Sequence, residues 1–446
     1  MKAKKRGLQL APTQIIALVF AAIILVGTLF LMLPAATRDG KGCAPLDALF
    51  TATSATCVTG LVRFDTGSHF TAFGQVVIIL MIEVGGLGFM SMASLVVFAL
   101  RRKVGLKQRM LMAQALSMDE MDSVVKLQKW VLGGSLGIQF SAAVVLFLRF
   151  LPKFGPGKAA WYGLFHAISA FCNAGFDVFG NGDSVAQWNS DPLVCIVLMA
   201  LVAVGGLGFF VWEEVVRVRS FKKFSVYTKL VLLSSLVLTL GGAAAFCITE
   251  WNGPAMAGMT PGTKILNAFF QSVTVRTAGF DSVGQGLLTD GGKGISMMLM
   301  LVGGSSGSTA GGVKTVTMVV LLLFLWTRAR GRSNVCVFKR SIPQEKALDA
   351  MTIVGILTTL AVFGAVFISL TSPISFTDGL YEAVSALATV GLTTGVTTSL
   401  SIPAQLMIVV YMYFGRVGVL TLSLGFLMGD RAEDRFRYAN TNLLIG

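Results

Sequence analysis

Four short stretches of the sequence end on a glycine, and their residue types suit the binding of a dehydrated cation by main-chain oxygens. Carbonyl groups can replace the hydration shell of an ion when several of them point at one axis. Glycine allows this arrangement because it adopts positive φ angles that other residues disfavour. We therefore predict a cation filter formed by Thr56, Cys57, Val58, Thr59, Gly60, Cys172, Asn173, Ala174, Gly175, Val275, Arg276, Thr277, Ala278, Gly279, Ala388, Thr389, Val390 and Gly391.

The four glycines belong to a pattern that recurs along the chain. An aromatic residue stands ten positions before each of them, and a leucine or phenylalanine follows directly. A second glycine feature recurs downstream, at Gly85-Gly86, Gly205-Gly206, Gly303-Gly304 and Gly415. Close packing of helices would explain one such glycine, but four glycines in register indicate four copies of one structural unit.

The elements that carry these loops are predicted to lie in a membrane. The chain is 54% hydrophobic and only 13% charged, whereas soluble domains carry roughly 25% charged residues. The mean hydropathy is +0.76. A helix needs about 20 apolar residues to cross a bilayer, and eight segments have that length: 10–33, 72–100, 128–150, 193–216, 229–249, 295–326, 349–371 and 403–428.

Between these segments lie four shorter apolar stretches, 44–56, 159–171, 263–274 and 376–388. They are too short to span the bilayer and each runs into one of the glycine loops, so we predict that they re-enter the membrane as pore helices. Non-helical backbone at that depth persists only where protein or a water-filled path satisfies its polar groups. A pore is therefore implied.

The predicted fold is all-α and integral to the membrane. It has four parallel M1–P–M2 repeats, with eight transmembrane helices and four re-entrant pore helices around one pseudo-fourfold pore. The predicted repeats are 1–109, 110–227, 228–340, in which the second helix is interrupted, and 341–446, which ends in a cytoplasmic tail.

The net charge of +14 comes from basic residues in short blocks between the apolar segments. This distribution is typical of cytoplasmic loops and argues against nucleic-acid binding. It predicts a multi-pass protein with both termini in the cytoplasm. The first apolar run is too long for a signal-peptide core, so we interpret it as a retained helix.

Enzymatic chemistry finds little support in the residue types. Six cysteines without a CxxC pair and two histidines suggest neither a disulfide framework nor a zinc site. The apolar segments contain no pairing of nucleophile and base. An intramembrane enzyme or a scaffold is therefore the weaker alternative to a transporter, and the metal expected is a monovalent cation at the filter only.

The segment 295–326 is interrupted by ten small or hydroxyl-bearing residues, which we predict to form a gate below the filter. They are Gly303, Gly304, Ser305, Ser306, Gly307, Ser308, Thr309, Ala310, Gly311 and Gly312. A glycine-rich packing hinge is the alternative. Lys314 and Arg416 lie deep in their spans, where charge is costly and usually functional. We predict that Arg416 holds the loop carbonyls, the alternative being a structural tie to Glu83 or another carboxylate.

The residues 54–61, 171–176, 275–280 and 389–393 resemble the Ktr/Trk/HKT superfamily of potassium transporters, and within it the membrane subunits of bacterial Ktr systems. The resemblance covers nearly the whole chain. It implies K⁺ uptake into a bacterial cell through its plasma membrane, a homodimer with one pore per subunit, and a cytoplasmic ring of RCK regulatory subunits. ATP and ADP would act at that ring, since this chain carries neither a P-loop nor a strand-flanked GxGxxG motif.

Three positions depart from the pattern of that superfamily. Cys57 stands where relatives commonly have threonine, Cys172 where the second loop often has asparagine, and Glu83 where a neutral polar residue is expected. If a side-chain hydroxyl contributes to the filter, the two cysteines imply looser selectivity. The alternative within the transport class is a relative permeable to Na⁺, or one that transports Na⁺ together with K⁺.

Overall fold

The computed structural model describes residues 12–88, 124–180, 182–332 and 334–418. The described chain is almost entirely helical. Its helices are α1 (Pro12–Leu31), α2 (Pro45–Thr56), α3 (Ala72–Leu87), α4 (Val124–Cys172), α5 (Pro192–Leu207), α6 (Phe209–Val218), α7 (Val226–Glu250), α8 (Pro261–Thr274), α9 (Asp290–Leu301), α10 (Thr315–Ala329), α11 (Gln344–Thr371), α12 (Phe376–Leu387) and α13 (Ile402–Val417), with a further single turn at Thr66–His69.

The first helix of each predicted unit is long and continuous. Among the described residues, the stretches long and apolar enough to cross a membrane are Gln14–Leu31, Gln128–Cys172, Val226–Glu250 and Gln344–Thr371. A helix satisfies its own backbone hydrogen bonds, so an unbroken apolar run is stable in lipid. The helix α4 also contains the second pore helix, since a residue with φ 74°, Gly155, breaks it.

Short helices occur at the four positions predicted for pore helices. They are α2, the part of α4 after Gly155, α8 and α12. Helix-starting residues set where α8 and α12 begin, because the hydroxyls of Thr260 and Ser375 accept hydrogen bonds from the amides of Thr263 and Asp378. A proline opens both α2 and α8, where its missing N–H costs nothing.

The predicted span 193–216 is not one straight helix. The helix α5 ends at Gly208 (φ 91°), and α6 leaves at an angle of 94°. The helices α3 and α13 end likewise at Gly88 (φ 83°) and Gly418 (φ 92°). The remainder of the predicted spans 72–100 and 403–428 lies outside the described residues, as do the first basic block, the residues 101–109 and the C-terminal tail.

A small hairpin joins α10 to α11, and the sequence pattern did not predict it. Its strands are β1 (Val335–Val337) and β2 (Arg340–Ile342), which pair antiparallel with Val335 opposite Ile342. The two turn residues, Phe338 and Lys339, have positive φ angles of 48° and 64°. Such turns normally carry asparagine or glycine, so the usual sequence signal for a hairpin is missing.

Candidate cation pathway

The four predicted filter loops have the same backbone conformation. Their glycines, Gly60, Gly175, Gly279 and Gly391, have φ angles of 97°, 68°, 81° and 91°. The residue two positions earlier is also left-handed in every loop: Val58 (55°), Asn173 (61°), Thr277 (72°) and Thr389 (51°). Left-handed φ angles are rare outside glycine. Four independent loops that share two of them at one spacing are therefore structurally equivalent.

The four glycines meet one another in a closed ring. A methyl group added to Gly60 would overlap the carbonyl oxygen of Ala174, and one added to Gly175 would overlap that of Ala278. The same holds for Gly279 with Val390 and for Gly391 with Thr59. Each loop thus packs a carbonyl into the space that a side chain of the preceding loop would occupy, and the first loop does the same for the fourth, which closes the ring.

Hydroxyl groups at the ends of the pore helices hold the loops in place. Ser54 and Ser385 accept hydrogen bonds from the amides of Gly60 (3.0 Å) and Gly391 (3.1 Å). Ser169 and Thr274 instead donate to the carbonyls of Phe176 and Phe280, both at 2.7 Å. Several hydroxyls near the ring are buried without a hydrogen-bond partner among the described residues, namely Thr53, Thr56, Thr59 and Thr389. Buried polar atoms of this kind need a ligand, and a cation or water would supply it.

Three members of the second set of recurring glycines lie against the pore helices, whereas Gly303 lies against Gly311 of the gate loop. The carbonyl oxygen of Thr56 fills the space beside Gly85, and the carbonyls of Phe171 and Leu387 do the same beside Gly205 and Gly415. A side chain on any of these glycines would push away the end of a pore helix. This explains why two glycine features recur together in the sequence.

A cavity of about 260 Å³ borders all four filter glycines, on the side of the ring away from the segment 303–312. Four carboxylates contribute to its wall: Asp65, Asp177, Asp183 and Asp281. Burial raises the pKa of Asp177 to about 7, and the charge of Asp65 adds to the shift. Negative charge in such a mouth concentrates cations. The sequence prediction missed these residues, although Asp177 and Asp281 both stand two positions after a filter glycine.

The predicted gate is a loop of defined shape between α9 and α10. Val302 and Val313 pair as an isolated bridge at its base, where the amide of Gly303 donates to the carbonyl of Val313 at 2.9 Å. The hydroxyl of Thr315 closes the base further by donating to the carbonyl of Gly303 at 2.7 Å.

The gate loop docks on the break between α5 and α6. The amides of Ser305 and Thr309 donate to the carbonyls of Gly206 (3.0 Å) and Gly205 (3.2 Å). In return, the amide of Phe209 donates to the carbonyl of Gly307 at 2.9 Å. The loop and the helix break therefore satisfy each other's main-chain groups. We expected water or ions to bond the main-chain groups of the gate loop, but protein groups supply many of these hydrogen bonds.

Arg416 contacts the gate loop, and does so through main-chain oxygens. Its guanidinium donates to the carbonyl of Thr309 in the loop and to those of Gly85 and Gly86, the last at 3.0 Å. Within the described ranges no carboxylate pairs with Arg416, so the alternative tie to Glu83 is not observed. The ammonium of Lys314 also lies in this region and donates to the carbonyl of Ala310 at 2.8 Å.

Arg276 is a filter-loop residue whose side chain turns away from the ring. It donates to the carbonyl of Ser235 and to the hydroxyl of Thr239 on α7, both at 3.4 Å. The residue therefore braces the third loop from behind, and its charge is separated from the ring by the loop itself.

Three comparisons place this arrangement among known proteins. A family model described as TrkH, a cation transport protein, matches residues 10–434. The potassium/sodium uptake protein NtpJ of Enterococcus hirae is 39% identical over 443 residues, which cover 98% of each chain. Ktr system potassium uptake protein B of Bacillus subtilis is 38% identical over 433 residues, covering 97% of this chain and 96% of that protein.

The fold is shared with a solved structure. The crystal structure of the potassium transporter TrkH from Vibrio parahaemolyticus matches with a TM-score of 0.74. The match covers 95% of this chain and 86% of that chain, at 16% sequence identity.

Proposed function

The chain belongs to the TrkH family of cation transport proteins, and from that premise we propose that it is the K⁺-conducting membrane subunit of a Ktr-type uptake system. The observation that carries the proposal is the closed ring of four left-handed glycine loops. Oxygens arranged around one axis can replace the water of a K⁺ ion. The names of the relatives, potassium/sodium uptake protein and potassium uptake protein, support the same substrate class.

The proposed architecture is four M1–P–M2 repeats around that ring, with the boundaries 1–109, 110–227, 228–340 and 341–446. The recurrence of a long helix, a short helix, a glycine loop and a broken helix supports it. K⁺ would enter from the acidic cavity, lose its water in the ring, and meet the loop 303–312 on the other side.

The loop 303–312 is proposed to be the gate, and Arg416 its latch. The guanidinium holds the loop and the last turn of α3 at the same time, so displacement of this one side chain would free both. Lys314 adds a second positive charge that opposes cation passage while the loop is in place. A cavity of about 140 Å³ beside Gly312 and Lys314 leaves space into which the loop can move.

Control of the gate is proposed to come from a cytoplasmic RCK subunit that binds ATP or ADP, with this chain acting as a homodimer in the bacterial plasma membrane. The word "system" in the name of the relative supports a multi-component assembly. The cofactor of the proposed system would be the nucleotide of the partner, and this chain would supply the ion path.

A second candidate is a pore that also passes Na⁺. It is favoured by the name of the Enterococcus hirae relative, which includes both ions. Cys57 lacks a side-chain hydroxyl and Cys172 lacks a side-chain amide, so selectivity there would rest on main-chain oxygens alone.

Flux into proteoliposomes distinguishes the two candidates. Purified protein should take up ⁸⁶Rb⁺ along a gradient, and excess K⁺ should compete far better than excess Na⁺. Equal competition by both ions would contradict K⁺ selectivity and support the second candidate. No ⁸⁶Rb⁺ uptake with or without an RCK protein would contradict both.

A further inference from the structure

The carboxylate of Glu83 lies inside the helix bundle, beside the second filter loop. Glu83 is on α3, two residues before Gly85, and only 8% of its surface is exposed. Its Oε2 accepts a hydrogen bond from the thiol of Cys172 at 3.3 Å and another from the amide of Gln139 at 3.1 Å. Cys172 ends α4 and leads directly into the filter loop. Glu83 therefore touches that loop through one side chain.

The charge of Glu83 has no protein counter-charge in the described part of the chain. Its second oxygen, Oε1, is buried and has no hydrogen-bond partner there. No lysine or arginine forms an ion pair with it among the described residues, and Arg416 donates to the nearby carbonyls of Gly85 and Gly86 instead. A carboxylate inside the membrane is expensive, and such residues usually lie on ion paths.

Hydrogen bonding alone does not require an acid at this position. A glutamine would fill nearly the same volume and could bond both to the thiol of Cys172 and to the amide of Gln139. The carboxylate differs from that amide chiefly in its charge. An ionised carboxylate here would draw its counter-charge from outside the described side chains, and the proposed path of the cation runs along the other side of the same loop.

At the gate, two charged side chains near the ring are positive, those of Lys314 and Arg416. These charges disfavour a cation in the ring. A carboxylate behind the second loop opposes them.

We propose that Glu83 determines the cation affinity of the ring: its ionised carboxylate fixes Cys172 from behind and supplies negative charge to the second filter loop. This inference rests on the proposed function. It makes Glu83 a positioning residue, since it acts on the ion through Cys172 and through its field. The predicted consequence is a change in substrate KM that a purely structural contact would not produce.

The test compares wild type, Glu83→Gln and Cys172→Ala in proteoliposomes, with ⁸⁶Rb⁺ as the probe. Glu83→Gln keeps the shape and removes the charge, whereas Cys172→Ala removes the thiol contact and keeps the charge. We expect KM for Rb⁺ to rise about tenfold in Glu83→Gln, which corresponds to about 1.4 kcal/mol of ion affinity, and to rise less in Cys172→Ala. KM does not depend on the fraction of folded protein, so partial misfolding cannot imitate the result.

Glu213→Gln is the matched control, because Glu213 forms a surface pair with Arg217 at 2.8 Å, far from the ring in sequence. An unchanged KM in Glu83→Gln, or a larger rise in Cys172→Ala than in Glu83→Gln, would overturn the inference. The proposed function fails separately, if the wild-type protein itself shows no Rb⁺ uptake.

Discussion

The hydroxyl of Thr309 donates a hydrogen bond to the carbonyl of Phe171 at 3.0 Å. This bond joins the middle of the gate loop to the last turn of the second pore helix, one residue before Cys172. The carbonyl of the same Thr309 accepts a bond from Arg416. Thr309 therefore connects Arg416, the gate loop and the base of a filter loop. Movement of the gate loop would break or shift the hydrogen bond that holds the base of this filter loop.

Removal of that hydroxyl should weaken the closed gate. A single buried hydrogen bond contributes about 1 kcal/mol, or roughly a fivefold shift in an equilibrium. We expect Thr309→Val, which keeps the shape of the side chain, to raise ⁸⁶Rb⁺ flux without a partner about fivefold. Thr309→Ser retains the donor and should restore wild-type flux; equal fluxes in both variants would disprove the role of the hydroxyl.

Loss of the latch should have a larger effect. Arg416 donates to three carbonyls on two elements, and hydrogen bonds from charged donors contribute about 1.5–3 kcal/mol each. Arg416→Ala should therefore raise partner-free flux by at least roughly tenfold. Arg416→Lys keeps the charge but cannot reproduce the fork of donors, so it should also leak. If the lysine variant stays closed, the charge and not the hydrogen bonding keeps the pore shut.

Substitution of a filter glycine should disrupt the ring, because the added side chain overlaps a neighbouring loop. Gly391→Ala places a methyl group against the carbonyl of Thr59, whereas Gly395→Ala places one where no atom lies within 4 Å. The two positions have nearly the same φ angle, 91° and 95°, so backbone strain is matched. We expect Gly391→Ala to raise KM for Rb⁺ by at least tenfold and to reduce discrimination against Na⁺, with a smaller change in Gly395→Ala. Similar effects in both would trace the defect to strain.

External pH should modulate uptake through Asp177. Burial raises the pKa of this carboxyl to about 7, so its negative charge is present above that pH and lost below it. Uptake at low Rb⁺ concentration should therefore fall as the outside pH drops from 8 to 6. Asp177→Asn should remove this dependence and give the lower uptake at both pH values.

Asp39→Asn is the control for that experiment. A hydrogen bond from the hydroxyl of Thr37 lowers the pKa of Asp39, so this carboxylate stays charged over the whole range. The variant should keep the wild-type pH profile. A profile that persists in Asp177→Asn would assign the titration to another group.

The short helices, the glycine loops and the contact of Arg416 could be predicted from the sequence because each has a local signal. A helix too short to span, followed by a glycine at a repeated interval, leaves few structures open, and the four short helices occur where they were expected. The contact between Arg416 and the gate loop followed from the cost of a charge at that depth.

The ends of α3, α5 and α13 at Gly88, Gly208 and Gly418 could not be predicted in the same way, since glycine is common inside membrane helices. The last turns of α3 and α5 contact residues that are distant in the sequence. The carbonyls of Gly85 and Gly86 accept from Arg416, and those of Gly205 and Gly206 accept from the gate loop. The acidic cavity was missed for a related reason, because Asp65, Asp177 and Asp183 come together only in the folded chain.

The ring of glycines has a directional property. The space beside each glycine is taken by an oxygen from the following loop, from Gly60 onward to Thr59 beside Gly391. A side chain added at one glycine therefore displaces the following loop. A substitution at Gly60 in the first loop should thus distort the second loop most. A side chain at any of these four positions would therefore displace a carbonyl of the following loop.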